Sequence, residues 1–185
     1  MSYYNPSTTD DKDELLIQVD EKDNIIGPIA RRECHNQKDI PWHRTTHTYI
    51  INSKGELLLT KRSSTKDTAP NQLVISSSGH VKYGEQPIEA AKREMFEELG
   101  LNIDLKYITK YKVNYNYEKE FVYVYFGITD EKPKLFKDEV IDFRYIDLEE
   151  FKRKYKNKEV IFPPGSKDVC ELLLKENLLL KEKFY

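Results

Sequence analysis

The 185-residue sequence has few cysteines, no long apolar run and almost no net charge. Its two cysteines, Cys34 and Cys170, lie far apart and form no metal or redox motif, so we expect reduced thiols in a cytoplasmic protein. No apolar run approaches membrane-spanning length, and the polar start MSYYNPSTTDDKDE predicts no signal peptide. Thirty basic residues against 32 acidic ones give a net charge of −2, which offers no general attraction to nucleic acid.

The length predicts a single domain over residues 13–185 with a full-sized core, preceded by a flexible polar tail over residues 1–12. Helices are predicted over 87–99, from 148 onwards and over 166–181. The basic run 152–158 is interpreted as a solvated helix end and loop rather than a nucleic-acid patch. Strands are predicted over 15–19, 25–26, 46–51, 56–61, 73–77, 110–116, 121–129 and 140–146. Mixed strands with helices around them predict an α/β fold of the α/β/α sandwich type, with a mixed sheet.

The helix over 87–99 is predicted from its two ends and from its apolar stripe. Pro87 suits a first helical turn, where its missing N–H would have no partner. Gly100 suits the left-handed position that ends a helix. The stripe consists of residues at spacings of three and four: Ile88, Ala91, Met95 and Leu99.

Another face of this helix is acidic. Glu94, Glu97 and Glu98 stand at i, i+3 and i+4, so their carboxylates converge. Three like charges at this spacing weaken a bare helix, whereas Mg²⁺ prefers carboxylate oxygen, phosphate and water as ligands. From residue types alone, a solvated acidic face remains the alternative to a metal site.

The residues around the acidic face identify a motif. Gly79, Glu85, Arg93 and Gly100 stand at fixed offsets from the glutamates, and together they fill every invariant position of the Nudix box. The chain therefore resembles a Nudix hydrolase. We interpret Gly79 as the residue that lets the chain turn sharply into the loop before the helix. We expect Glu85 and Arg93 to form an ion pair that holds this loop on the helix.

The resemblance implies a fold, a cofactor and a substrate class. It implies a Nudix-type α/β/α sandwich with a mixed sheet and a Mg²⁺ site, with Mn²⁺ as the alternative ion. It implies a small-molecule diphosphate as substrate, whereas the charge balance and the lack of long apolar runs predict no nucleic acid and no membrane as partner. A homodimer is compatible with it, because dimers are common among relatives.

Segments outside the box are similar to one branch of the family, over roughly residues 14–150. The residues at 42–44 and 52–62 resemble type I isopentenyl diphosphate isomerase and its hydrolase-like relatives. By position, the isomerase pattern places metal-binding histidines, site glutamates and diphosphate-binding side chains at His43, His80, Glu118, Glu120, Arg62 and Lys66. A further histidine ligand of that pattern falls on Asn36, beside His35.

Two departures favour a hydrolase over an isomerase. The isomerase uses a cysteine for proton transfer to carbon where this chain has Ser78, and a hydroxyl lacks the acidity and nucleophilicity of a thiol. The isomerases also degrade the second half of the box, which is whole here as REMFEELG. A third hypothesis is a nucleotide-binding Nudix domain without catalysis, but such a domain would be expected to lose its metal-binding glutamates.

The predicted reaction is hydrolysis of a nucleoside diphosphate linked to another moiety. The catalytic group comprises Glu98 as first choice of general base, Glu139 as second choice, Glu94 and Arg93. The metal-binding group comprises Glu94, Glu97, Glu98 and the Gly79 carbonyl. The substrate-binding group comprises Arg62, Lys66, His43 and Glu120. From residue types alone, His43 also suits a packed histidine, Glu120 an exposed strand end and Arg62 a surface ion pair.

Overall fold

The computed structural model describes residues 8–34, 40–115 and 118–175. The strands are β1 (Leu15–Val19), β2 (Ile25–Ala30), β3 (Trp42–Ile51), β4 (Glu56–Arg62), β5 (Leu73–Ile75), β6 (Ser77–His80), β7 (Lys106–Tyr115), β8 (Glu118–Ile128) and β9 (Val140–Asp147). The helices are α1 (Arg31–Cys34), α2 (Pro87–Leu99), α3 (Leu148–Lys156) and α4 (Pro164–Lys175). Within these ranges no helix is long and apolar enough to cross a membrane.

The strands of the described ranges join into one mixed sheet with β3 at its centre. β3 runs antiparallel to β1, β4 and β6 and parallel to β8. β9 pairs with β4, and β7 pairs with the far side of β8. The mixed sheet predicted from the sequence is therefore confirmed.

Helices cover both faces of this sheet. Tyr49 packs with Val169 of α4, whereas the next residue, Ile50, packs with Met95 of α2. Successive side chains of a strand point to opposite faces, so α2 and α4 lie on opposite sides of the sheet. The arrangement is the predicted α/β/α sandwich.

Helix α2 has the predicted bounds, because its ends are set by local chemistry. Pro87 is its first residue, and Gly100 follows it with a φ of 63°, the left-handed conformation that glycine adopts without a steric penalty. The backbone N–H of Gln86 donates to the Glu89 carboxylate at 2.8 Å, which ties down the first turn. The buried side of α2 includes Met95, as the apolar stripe predicts.

The predicted strand over 73–77 is wrong, because the chain changes partners within it. β5 pairs with β4, whereas β6 pairs with β3. Ser76 lies between them with a φ of 27°, and its Oγ accepts from Ile50 N and donates to Leu58 O. At the crossing point the Ser76 hydroxyl thus supplies the acceptor for the Ile50 N–H, while the Ser76 N–H still donates to Leu58 O at 3.2 Å. The crossing places β6 and its Gly79 alongside α2.

Other boundaries differ from the prediction by a few residues. β3 begins at Trp42, four residues before the predicted start, since its first half pairs with β1, β6 and β8. The short helix α1 was not predicted. α4 begins at Pro164, and the predicted continuation over 176–181 lies outside the described residues. Residues 1–7 of the predicted tail also lie outside them.

Candidate active site

An open cavity lies where β6, α2 and the start of α4 approach one another. Six residues that the sequence analysis proposed for the site line it: Arg62, Lys66, Gly79, Glu94, Glu98 and Glu120. Four others are not part of this lining: His43, Arg93, Glu97 and Glu139. The cavity has acidic groups from α2 and β8 and basic groups from β4 and the loop after it.

Gly79 is needed for a close approach between β6 and α2. A Cβ atom at this position would lie 2.0 Å from Cδ of Glu94, so any side chain here would displace the Glu94 carboxylate. The interpretation of Gly79 as a sharp turn is wrong, because the residue lies inside β6 and pairs with Thr46 of β3. The missing side chain leaves space for the Glu94 carboxylate beside the strand.

Arg93 holds the loop before α2 against the helix. Its Nε and Nη2 each donate to the Glu85 carboxylate at 2.9 Å, and Nη2 also donates to the His80 carbonyl at 2.9 Å. The predicted ion pair is therefore confirmed as a two-pronged one. The remaining nitrogen, Nη1, donates to Glu94 at 2.6 Å and to Glu97 at 3.1 Å. One guanidinium thus fixes both the loop and two glutamates of α2.

The three glutamates of α2 differ in exposure. Glu98 is buried, the Glu94 side chain is 15% exposed, and that of Glu97 is 47% exposed and lies outside the cavity lining. Burial, reinforced by the charge of Glu94, raises the pKa of Glu98 to about 8. Burial also raises the pKa of Glu94 to about 7, although Arg93 opposes this shift. Adjacent carboxyls that ionise with such difficulty fit a divalent cation, which would stabilise both anions.

A second group of ligating atoms lies at the wall of the cavity, to which His80 and Glu120 belong. His43 of β3 pairs with Glu120 of β8, and its Nε2 lies 3.5 Å from Oε1 of Glu120. The His43 ring stacks on the His80 ring, with 5.3 Å between the ring centroids. The ligand atoms of these three residues all lie within 4.8 Å of one another, close enough to hold one cation. Cys34, which the sequence analysis missed, hydrogen-bonds to His43. Burial alone would lower the pKa of His43, but Cys34 and Glu120 raise it. Asn36 lies outside the described residues.

Two of the basic side chains that line the cavity, Arg62 and Lys66, are already engaged with protein groups. Arg62 donates through Nε to the Thr68 carbonyl at 3.0 Å. Lys66 donates to Asp10 at 2.5 Å and to Glu139 at 2.6 Å. Glu139, the second candidate for general base, is thus held at the cavity edge by Lys66.

Asp10 anchors the N-terminal segment beside the cavity, and no sequence signal pointed to it. Its carboxylate also accepts from the Asp67 backbone N–H at 2.7 Å. Burial alone would raise the pKa of Asp10, but the charges of Arg31 and Lys66 hold it well below its ordinary value. Asp10 and Lys66 are 56 residues apart, so their contact exists only in the folded chain.

Asp10→Asn is expected to lower the free energy of unfolding by about 2 kcal/mol, because an uncharged amide cannot balance buried Lys66 and Arg31. The measurement is urea denaturation at pH 7. Asp11→Asn, at the exposed neighbouring position, is the matched control and should stay within about 0.5 kcal/mol of the parent. Equal unfolding energies for both variants would show that the Asp10 contacts contribute nothing.

Comparisons with known proteins agree with this geometry. The family model described as NUDIX domain matches residues 41–163. An uncharacterised Nudix hydrolase of Clostridium acetobutylicum is 34% identical over 83% of this chain and 80% of its own. An isopentenyl-diphosphate Delta-isomerase of Photorhabdus laumondii is 33% identical over 74% of this chain and 78% of its own.

Similarity of fold extends to solved structures. The crystal structure of DR0079 from Deinococcus radiodurans superposes with a TM-score of 0.70 and 24% identity, covering 85% of this chain and 98% of that one. The fold, the intact box on α2 and the family match agree, and the chain belongs to the Nudix family as a pyrophosphohydrolase.

Proposed function

We propose that this protein hydrolyses, in the presence of Mg²⁺, the diphosphate linkage of a nucleoside diphosphate joined to another moiety. The observation that carries the proposal is the pair of buried Glu98 and partly buried Glu94, which lies beside Gly79 and shares one cavity with Arg62 and Lys66. Carboxylates suit a hard dication, and the basic side chains suit phosphate oxygens. A diphosphate carrying such an ion matches both halves of the cavity.

Glu94, Glu98 and the carbonyl of Gly79 would hold the Mg²⁺, with Glu97 at the edge of the group. When bound, the ion supplies a Lewis acid that neutralises phosphate charge and lowers the pKa of water. The donor set is entirely oxygen, as Mg²⁺ prefers, and Mn²⁺ accepts the same ligands.

The chain's own groups divide the remaining work. Glu98 takes the proton of the attacking water, because its carboxylate lies in the cavity beside Glu94, where the diphosphate would bind. Arg62 and Lys66 stabilise negative charge on the phosphates. Lys66 gives two of its three N–H groups to Asp10 and Glu139, and the third is the one that would reach a phosphate oxygen.

Isomerisation of isopentenyl diphosphate is the second candidate. The cluster of His43, His80 and Glu120 favours it, because these positions match the isomerase pattern. Against it stands Ser78, which lines the cavity where that chemistry uses a thiol and whose N–H donates to Glu98 at 3.3 Å. An isotope-exchange assay distinguishes the two reactions, because only isomerisation converts isopentenyl diphosphate to dimethylallyl diphosphate.

The proposal is tested with a panel of diphosphate compounds and Mg²⁺. The panel contains nucleotide sugars, ADP-ribose, dinucleoside polyphosphates, coenzyme-like compounds and nucleoside triphosphates. Release of a nucleoside monophosphate or of phosphate from at least one of them is the expected result. Calorimetric binding without any product, in Mg²⁺ and in Mn²⁺, would instead support the non-catalytic reading and refute hydrolysis.

A further inference from the structure

The wall of the cavity formed by β3 contains two buried polar atoms that have no hydrogen-bond partner among the described residues. These atoms are Oγ1 of Thr45 and Nδ1 of His47, and both residues line the cavity. Thr45 is only 4% exposed. Buried polar groups in folded proteins nearly always have a hydrogen-bond partner. Two such groups without a partner beside a cavity indicate that a ligand completes their hydrogen bonds.

The two residues point to the same side of the sheet. They stand at i and i+2 on β3, and side chains at this spacing share a face. Opposite them lies the start of α4, where Gly165 and Ser166 also line the cavity. A Cβ atom on Gly165 would lie 3.6 Å from Cε1 of His47, in ordinary contact. The absent side chain therefore leaves an open space between His47 and the helix.

Hydrogen-bonding groups surround this space. The first N–H groups of a helix have no partner inside the helix, and those of α4 begin here. Burial, in spite of the charge of Glu120, lowers the pKa of His47 to about 4, so its neutral ring offers one donor and one acceptor. The carboxylates of Glu118 and Glu120 add acceptors to the same cavity.

We propose that Thr45, His47 and the amino end of α4 form a subsite for a hydroxylated moiety, such as a sugar ring, that is joined to the diphosphate. This inference rests on the proposed function and narrows its substrate class. A sugar hydroxyl both donates and accepts, so it satisfies a threonine hydroxyl and a neutral imidazole alike. An isoprenoid chain would leave these polar atoms unpaired, which disfavours its binding.

The test compares ADP-ribose with isopentenyl diphosphate, which has no hydroxyl beyond its diphosphate. Thr45→Val keeps the shape of the side chain and removes the hydroxyl. This variant is expected to raise the KM for ADP-ribose on the order of tenfold. The inhibition constant of isopentenyl diphosphate, measured as a competitive inhibitor of ADP-ribose hydrolysis, should stay unchanged. Its Tm should equal or exceed that of the parent, since the lost hydroxyl has no partner among residues 8–34, 40–115 and 118–175.

Matched variants separate this effect from general damage. Thr45→Ser restores a hydroxyl and should recover the parent KM for ADP-ribose. Thr48→Val changes a buried threonine on the opposite face of β3 and should leave this KM unchanged. Gly165→Leu fills the space beside His47 and should raise the KM for ADP-ribose by at least about tenfold through steric exclusion. Leucine has a high helix propensity, so α4 should remain folded.

Two results would overturn the subsite. One is a KM for ADP-ribose that stays within about twofold of the parent in both Thr45→Val and Gly165→Leu. The other is an equal weakening of ADP-ribose and isopentenyl diphosphate, which would indicate a general disturbance of the cavity. Neither result contradicts the proposed hydrolysis of diphosphates. A parent protein that hydrolyses no compound of the panel would instead overturn the proposed function.

Discussion

Glu98→Gln is expected to lower kcat on the diphosphate substrate by at least about a hundredfold while the protein remains folded. Glutamine has the shape of glutamate, and its side-chain oxygen can still accept from the N–H of Ser78, as Oε2 of Glu98 does at 3.3 Å. It cannot take a proton, and it carries no charge for a cation. Initial rates measured over a wide range of Mg²⁺ concentrations separate the loss of the base from weaker metal binding.

Two neighbouring carboxylates provide the controls. Glu97→Gln alters the same helix at a side chain that is 47% exposed and bonds to Arg93, so its loss of kcat should be smaller. Glu139→Gln tests the second candidate for the base, which accepts from Lys66 at 2.6 Å. Normal turnover of Glu98→Gln combined with complete inactivity of Glu139→Gln would show that the base is Glu139.

Features set by neighbouring residues could be predicted from the sequence. Pro87 and Gly100 each act through their own backbone preference, which is why the bounds of α2 were predicted correctly. The pairing of Glu85 with Arg93 depends only on a loop folding back on the helix that follows it. Because the spacing of the α2 glutamates is helical, the positions of Glu94 and Glu98 beside one cavity also followed from the sequence.

Features that depend on distant partners could not be predicted. The contact of Asp10 with Lys66 and that of Cys34 with His43 arise only when separate segments meet in the fold. The reason for Gly79 required the same knowledge, because the Glu94 carboxylate that excludes a side chain there belongs to α2, on another element. Burial likewise has no local signal, so the raised pKa values of the glutamates were not foreseen.

The metal-free protein is expected to lose stability as the pH rises, and Glu98 is the main cause. Its pKa is about 8 in the folded protein against an ordinary value of 4.5. Between these two pH values the folded state retains a proton that the unfolded chain has released. The stability that Glu98 contributes is therefore complete below pH 4.5 and is lost as the pH rises through 8. With about 1.4 kcal/mol for each pKa unit, Glu98 alone should lower the free energy of unfolding by roughly 3–4 kcal/mol between about pH 5 and pH 8.

Comparing the parent with Glu98→Gln isolates this contribution. Burial lowers the pKa of His47 to about 4, so its contribution to the stability of the fold increases as the pH rises to about 6.5. This contribution opposes that of Glu98, but it is the same in both proteins and cancels when their unfolding energies are subtracted. Denaturation in EDTA from pH 5 to pH 8 should give a steeper decline for the parent than for the variant, in which Glu94, whose pKa burial raises to about 7, still causes a smaller decline. Mg²⁺ should restore the parent most strongly at pH 8, because a cation binds the ionised carboxylates of the native state. Parallel curves for the two proteins would mean that the Glu98 carboxyl is not strained by burial, and the physical reason for a cation between it and Glu94 would disappear.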